Sequence, residues 1–331
     1  RESGVGERCT LQDNLRHFLG VDENGFGRRT VDNNGVQYGY QALLDSVISI
    51  DEFLYLNRNI GGMDADGYGP WDPGALTQQD PADMAVQPRM SMDPALAADL
   101  YRYGFVGGRG AIDQAPVIDI NLYADPVPVL GFHDQVRSYM TARRVEATFG
   151  ERETMSIWSG AVVTNDAWST MHSWLDGVER ARAATGGVSD DASWSDEVGT
   201  ARPAQGGDAC VVTTAGYAPA PLALPGVAGH EDMPCEQVFR PMGSTRIAAG
   251  GPDTEDIIKC QRTAPQRADY GGVTFTDSQF AELQRIFTGG VCDWALPGVG
   301  EVARSETWQT WGNDTFVPAE PQPIAHIVAR S

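Results

Sequence analysis

Lysine is nearly missing from this chain of 331 residues: Lys259 stands alone, and the remaining basic residues are arginines. The formal net charge is −21, and the arginines are scattered instead of clustered. A nucleic-acid footprint needs a basic patch or stripe, so DNA and RNA are excluded as partners. The lysine scarcity itself reads as genome bias or surface chemistry without functional weight. No apolar run approaches the roughly 18 residues that a membrane-spanning helix needs. A secretory leader is absent too, as it would be from a mature secreted chain. None of the five cysteines forms a Cys-x-x-Cys pair or sits beside a histidine at zinc-ligand spacing, so no zinc site and no cofactor are expected. Also absent is Gly-x-Ser-x-Gly, the sharp strand-to-helix turn that presents a nucleophilic serine.

What is present is a globular composition, 41% apolar and 21% charged, which argues against global disorder and supplies ample core. Cys210, Cys235, Cys260 and Cys292 crowd a Gly/Pro-rich region where crosslinks would stabilise irregular backbone, so an oxidising, extracellular setting is expected. Four cysteines allow three pairings. Cys210 with Cys235 and Cys260 with Cys292 close the shortest loops, which leaves Cys9 as a free thiol or a bond to another polypeptide. The chain begins at Arg1 without a Met, which raises the expectation that it is the C-terminal part of something longer.

Three stretches follow from the local patterns. Residues 1–114 read as a helical and loop segment. A helix is expected over 36–47, and a second starts at Ser49, where Ser49 and Glu52 make a capping box. Asp93-Pro94 is an N-cap followed by Pro at the first helical position, opening a short helix that stops near Gly104. The loop between these helices carries Asp64 and Asp66 in Asp-x-Asp-Gly. These are weak calcium candidates, because the third ligand position and the terminal Glu of an EF-hand are missing.

Residues 115–186 change character. The largely apolar run 116–123 suits a strand of a parallel sheet. A helix over about 133–149 stops at Gly150, and 155–158 gives a second strand. Asn165 is expected to cap a long helix that turns Trp168, Met171, His172 and Leu175 to one apolar face. Strand, helix, strand, helix at this spacing predicts parallel pairing with right-handed crossovers. In residues 187–331 regular structure thins, the acidic cluster 190–197 reads as solvated loop, and one clear helix is capped by Thr276 and Gln279.

In open α/β sheets ligands bind beyond the carboxyl ends of the strands, which is where Asp125 falls. An acid in that place matches the α/β-hydrolase order of Ser, then Asp or Glu, then His, in which the acid orients the imidazole and stabilises its charged form. The competing reading of Asp125 is a turn or capping residue. His172 is expected to be a core histidine, while His17, His230 and His326 sit in loop-like context. His133 follows Asp125 in the same loop, beside Asp134 at a helix start, and is the candidate base, with a plain surface histidine as the alternative. Ser159 stands at a strand end but comes after the acid, and Ser244 has no strand before it.

Several strings carry a resemblance: Gly25-Phe-Gly-Arg-Arg29, the run from Asp32 to Gly39, the strand and loop of 116–125, His133 with Arg137, Lys259-Cys-Gln261, and the run from Gly290 to Trp294. Together they resemble the C-terminal half of a secreted bacterial α/β-hydrolase-like family catalogued as a domain of unknown function, over about residues 9–300. The resemblance implies members about twice this length, whose N-terminal half supplies the serine. It also implies Asp125 as acid and His133 as base of an ester-cleaving triad.

The expectation is therefore an α/β chain: the C-terminal part of an α/β-hydrolase-like parallel sheet with helices, plus a loop-rich, disulfide-containing region. It would act on an ester, such as a polyester or acyl ester, with the nucleophile on a partner chain or a missing N-terminal half, for which Cys9 is the candidate tether. A two-chain amidase or acylase, or a non-catalytic extracellular binding or assembly module, are the alternatives.

Overall fold

The structure, a computed structural model, describes residues 16–23, 27–62, 88–121, 123, 125, 134–160, 164–186, 191–211 and 243–302. Its elements run α1 (Arg16–Leu19), α2 (Tyr40–Leu44), α3 (Ile50–Asn59), α4 (Pro94–Arg102), β1 (Val117–Asn121), α5 (Val136–Phe149) and β2 (Met155–Gly160). They continue through α6 (Thr164–Ala184), α7 (Asp191–Thr200), β3 (Ala209–Val211), β4 (Gln261–Thr263), α8 (Asp277–Ile286) and β5 (Val291–Asp293). The architecture is mixed α/β.

The capping chemistry sets the helix starts. Ser49 accepts the Glu52 N–H while the Glu52 carboxylate accepts the Ser49 N–H at 2.7 Å, so α3 begins where expected. Thr276 and Gln279 make the same reciprocal pair for α8, and Asp93 accepts the Ala95 N–H at 2.7 Å to open α4. The helix expected over 36–47 shrinks to the five residues of α2. Gly39 lies at φ +80, a left-handed conformation that interrupts a helix, and Val36 and Gln37 are buried ahead of it.

One packed unit joins α2 and α3 to α8 across the sequence. Leu43, Phe53, Leu54, Tyr270, Phe275, Leu283, Phe287 and Val291 form its core. β4 and β5 pair antiparallel beside it, and the expected Cys260–Cys292 disulfide ties them. The other expected pair does not fall within view, because Cys235 and Cys9 lie outside the described residues. Lys259 is not a surface residue. It is buried, with Nζ 2.8 Å from Asp32 Oδ2, and Asp32 also accepts the Met92 N–H at 2.9 Å. A lone lysine chosen by genome bias would stay in water; this one is held in a buried ion pair.

The second unit is the parallel sheet, in the order β1-β2-β3 with both pairings parallel. Alternation sends Val117, Asp119 and Asn121 of β1 and Met155, Ile157 and Ser159 of β2 to the face covered by α5. Ile118 and Trp158 point to the other face, against α6 and α7. β2 is buried throughout, as the middle strand of three should be, whereas β1 is only half-buried and leaves Ile120 37% exposed.

Two expectations for this unit are corrected. The acidic cluster 190–197 is not solvated loop: 191–200 is the helix α7, whose Val198 is fully buried and whose Trp194 Nε1 donates to the Gln114 carbonyl at 2.9 Å. On α6, the face carrying Trp168, His172 and Leu175 is the exposed one, with Trp168 at 72% and Leu175 at 45%. The buried stripe is Ala167, Thr170, Trp174 and Val178, and the Trp174 indole N–H donates to the Val198 carbonyl at 2.8 Å. Small residues win that face because the backbones approach closely there: a Cβ on Gly177 would meet the Ala201 carbonyl at 2.9 Å. The helix also begins at Thr164, which puts Asn165 inside its first turn instead of at the cap.

Candidate functional site

The face between the sheet and α5 changes chemistry along its length. At the amino end of the strands it is apolar: Val117, Met155 and Ile157 pack against Ala142, Val145 and Phe149. Toward the carboxyl end the same rows become Asp119, Asn121 and Ser159, and α5 answers with Ser138 and, at its N-cap position, Gln135. Nothing in a packed α/β layer requires that switch. Buried polar groups carry a desolvation penalty of about 1–3 kcal/mol each when left unpaired, so a cluster of them at the strand ends needs an explanation.

Asp125 lies beyond the end of β1 and is 4% exposed. Its Oδ1 accepts the Gln135 backbone N–H at 2.8 Å. That bond has two consequences. The carboxylate sits at the N-terminus of α5, where it pairs a backbone N–H that the helix itself leaves without an acceptor. The bond also joins Asp125 to a residue ten positions further along the chain. His133 belongs to that interval but lies outside the described residues, as do the calcium candidates Asp64 and Asp66. Among the described residues there is no group of three or more His, Cys, Asp or Glu side chains placed to hold a metal ion.

Gln135 is fully buried. Its side-chain amide donates to Ser159 Oγ on β2 and, at 3.2 Å, to the Tyr139 hydroxyl one turn along α5. Its Oε1 has no partner. Exchanging the amide's oxygen and nitrogen would keep both hydroxyl contacts and leave the other end unpaired. Nearby, Asn121 Oδ1 accepts the Tyr123 N–H at 2.8 Å and so helps to hold Tyr123 at φ +51, a conformation uncommon outside glycine. Burial, then the neighbouring Asp125 charge, push the Tyr123 phenol up. Burial likewise raises the Asp119 carboxyl, partly offset by a hydrogen bond from Ser138.

Of the sequence candidates, then, Asp125 stands at the carboxyl edge of the parallel sheet as expected, and Ser159 is its near neighbour through Gln135. His172 is not a core histidine; it is exposed on α6 with its ring edge-on to Trp168, 5.9 Å between centroids. Ser244 is buried in a turn, where its Oγ accepts the Arg246 N–H at 3.1 Å. Gln135 escaped the sequence reading altogether. The alternation of Asp119 and Asn121 in an otherwise apolar strand marks the polar face that Gln135 covers, without singling out Gln135.

These features define a class: a parallel α/β unit with a buried acid and a polar cluster at the carboxyl ends of its strands. The chain belongs to the Tannase-like family of unknown function (DUF6351), whose family model matches residues 1–303. No curated protein and no solved structure matches it.

Proposed function

We propose that this chain forms part of a serine ester hydrolase. Asp125 is the orienting acid and His133 the base, and the unit 117–211 is the late part of an α/β-hydrolase sheet. The observation that carries this reading is the Asp125 carboxylate, buried at the carboxyl edge of a parallel sheet and bonded to Gln135, two residues beyond His133. The family's likeness to tannase, an ester-cleaving enzyme, supports the choice of an ester.

In this mechanism a serine attacks the acyl carbon, His133 takes the serine proton and returns it to the leaving alkoxide, and Asp125 fixes the imidazole tautomer. The serine is proposed to come from an N-terminal half or a partner polypeptide, with Cys9 as a candidate tether. Secretion fits a chain with a disulfide in which, among the described residues, no helix is long and apolar enough to cross a membrane. A second reading, a non-catalytic binding module, is favoured by the exposed Trp168 and Leu175 on α6.

Labelling with a fluorophosphonate separates the two readings. One polypeptide of the active preparation should be modified at serine, and absence of any labelling sinks the hydrolase. His133→Ala should then lower kcat by about 100-fold to 10,000-fold. Full activity in that variant would move the base to another of the five histidines.

A further inference from the structure

The fully buried Gln135 amide is the least economical residue of the site. A leucine or methionine would fill the same space between sheet and helix and remove the unpaired Oε1, at the cost of a partner for the Ser159 and Tyr139 hydroxyls. What the amide provides instead is a double anchor, to Ser159 on β2 and to Tyr139 on α5. The same residue's backbone N–H is the one that Asp125 accepts. We infer that Gln135 is a positioning residue: its side chain, clamped between Ser159 and Tyr139, fixes the N–H that aims the Asp125 carboxylate.

The inference rests on the reading of Asp125 as the orienting acid. Its physical content is a lever. Asp125 stands past the end of β1, and the start of α5 is held to that strand through Ser138, which bonds Asp119 and Asn121. The apolar packing of α5 lies farther toward the amino end, around Ala142, Val145 and Ile157. The Gln135–Ser159 bond adds a tie to β2 at the residue whose N–H Asp125 accepts, ahead of the Ser138 contacts. Loss of that tie shifts the N–H, and with it the carboxylate, by fractions of an ångström. An orienting acid transmits such a shift directly to the base, whereas substrate binding is left alone.

The test uses the enzyme preparation that the fluorophosphonate labels, with hydrolysis of an aryl ester as readout. Gln135→Met keeps the volume and removes both anchors. It should lower kcat by about tenfold to 100-fold, the loss typical of a misplaced catalytic geometry, with KM within about twofold. Gln135→Glu keeps the length and a polar end that the two hydroxyls can bond by turning their own protons to it, and should recover most of that loss relative to wild type at the same pH. In an Asp125→Asn background, Gln135→Met should cost nothing further, because the two act through one carboxylate.

An equal further loss in that background would show that Gln135 acts elsewhere and overturns the inference. If Gln135→Met fails to fold by circular dichroism, Ser159→Ala decides. It removes a single anchor from a different element and should lower kcat about three- to tenfold, the rate equivalent of one neutral hydrogen bond. Asp125→Asn inactive with both anchor variants at the wild-type rate overturns the positioning role alone. Asp125→Asn at the wild-type rate removes the catalytic reading of Asp125 and the positioning role with it.

Discussion

The two packed units of this chain treat buried polar groups in opposite ways. In the disulfide-tied unit several deeply buried polar groups meet a counterpart: Lys259 meets Asp32, the Tyr270 hydroxyl donates to Gln37 Oε1 at 2.5 Å, and Arg89 donates to the carbonyls of Asn33, Val36 and Asn57 and to Asn57 Oδ1. In the parallel-sheet unit Gln135 Oε1 and Ser156 Oγ are buried without a partner, and Asp119 has its carboxyl raised by burial. A buried polar atom without a partner lowers stability, so its place beside Asp125 fits the proposed working cluster, and the pairs around Lys259, Tyr270 and Arg89 fit a scaffold.

The largest effect that would test this contrast is in the scaffold. Lys259→Met leaves the Asp32 carboxylate buried with the Met92 N–H but without its cation, and loss of one partner of a buried pair costs about 3–5 kcal/mol. Denaturant unfolding should report a loss of that size, and adding Asp32→Asn should restore most of it. A loss below about 1 kcal/mol would mean that the pair is solvated, and the division into paired scaffold and unpaired site would weaken. Reduction of Cys260–Cys292 comes next. The bridge closes a sequence separation of 32 residues, for which chain entropy predicts about 2–4 kcal/mol. Unfolding with and without reductant measures it, and an unchanged midpoint would show that packing around Val36, Ala249 and Ile257 holds this region unaided.

The sequence disclosed the elements whose signals are local. Capping boxes at Ser49 and Thr276, the Asp93-Pro94 start and the Gly150 stop each depend on a few adjacent residues, and each stands where it was expected. Parallel pairing of the two expected strands also followed from their spacing, and the Cys260–Cys292 bond from loop length. What stayed hidden depends on who packs against whom. On α6 two stripes share the helical period, and large apolar side chains advertise the wrong one. The right one is marked by Trp174 and by small residues that permit close approach. Lys259 and Gln135 were invisible for the same reason: their partners Asp32 and Ser159 stand 227 and 24 residues away in sequence. Of the candidate site, the proposed acid Asp125 was legible because it falls a few residues beyond a strand, and the polar surroundings that hold it were not.

The smallest effect sharpens the comparison most, because its sign is opposite to that in the scaffold. Burial raises the Asp119 carboxyl above its ordinary value of 3.8, so the folded chain keeps that proton to higher pH than the unfolded chain does. Stability from this group is therefore greatest at acid pH and declines as pH climbs from below 3.8 through the raised value of the folded state. At neutral pH the ionised residue is a net cost. Asp119→Asn removes the titration and keeps an acceptor for Ser138. It should raise the thermal midpoint at pH 7, by the equivalent of less than about 1 kcal/mol, and the advantage should fade as pH falls toward about 3. A variant less stable than wild type at neutral pH would show that the Asp119 charge is satisfied where it lies. The carboxyl edge of the sheet would then be as fully paired as the scaffold at this position, and the case for a working cluster would rest on Gln135 and Asp125 alone.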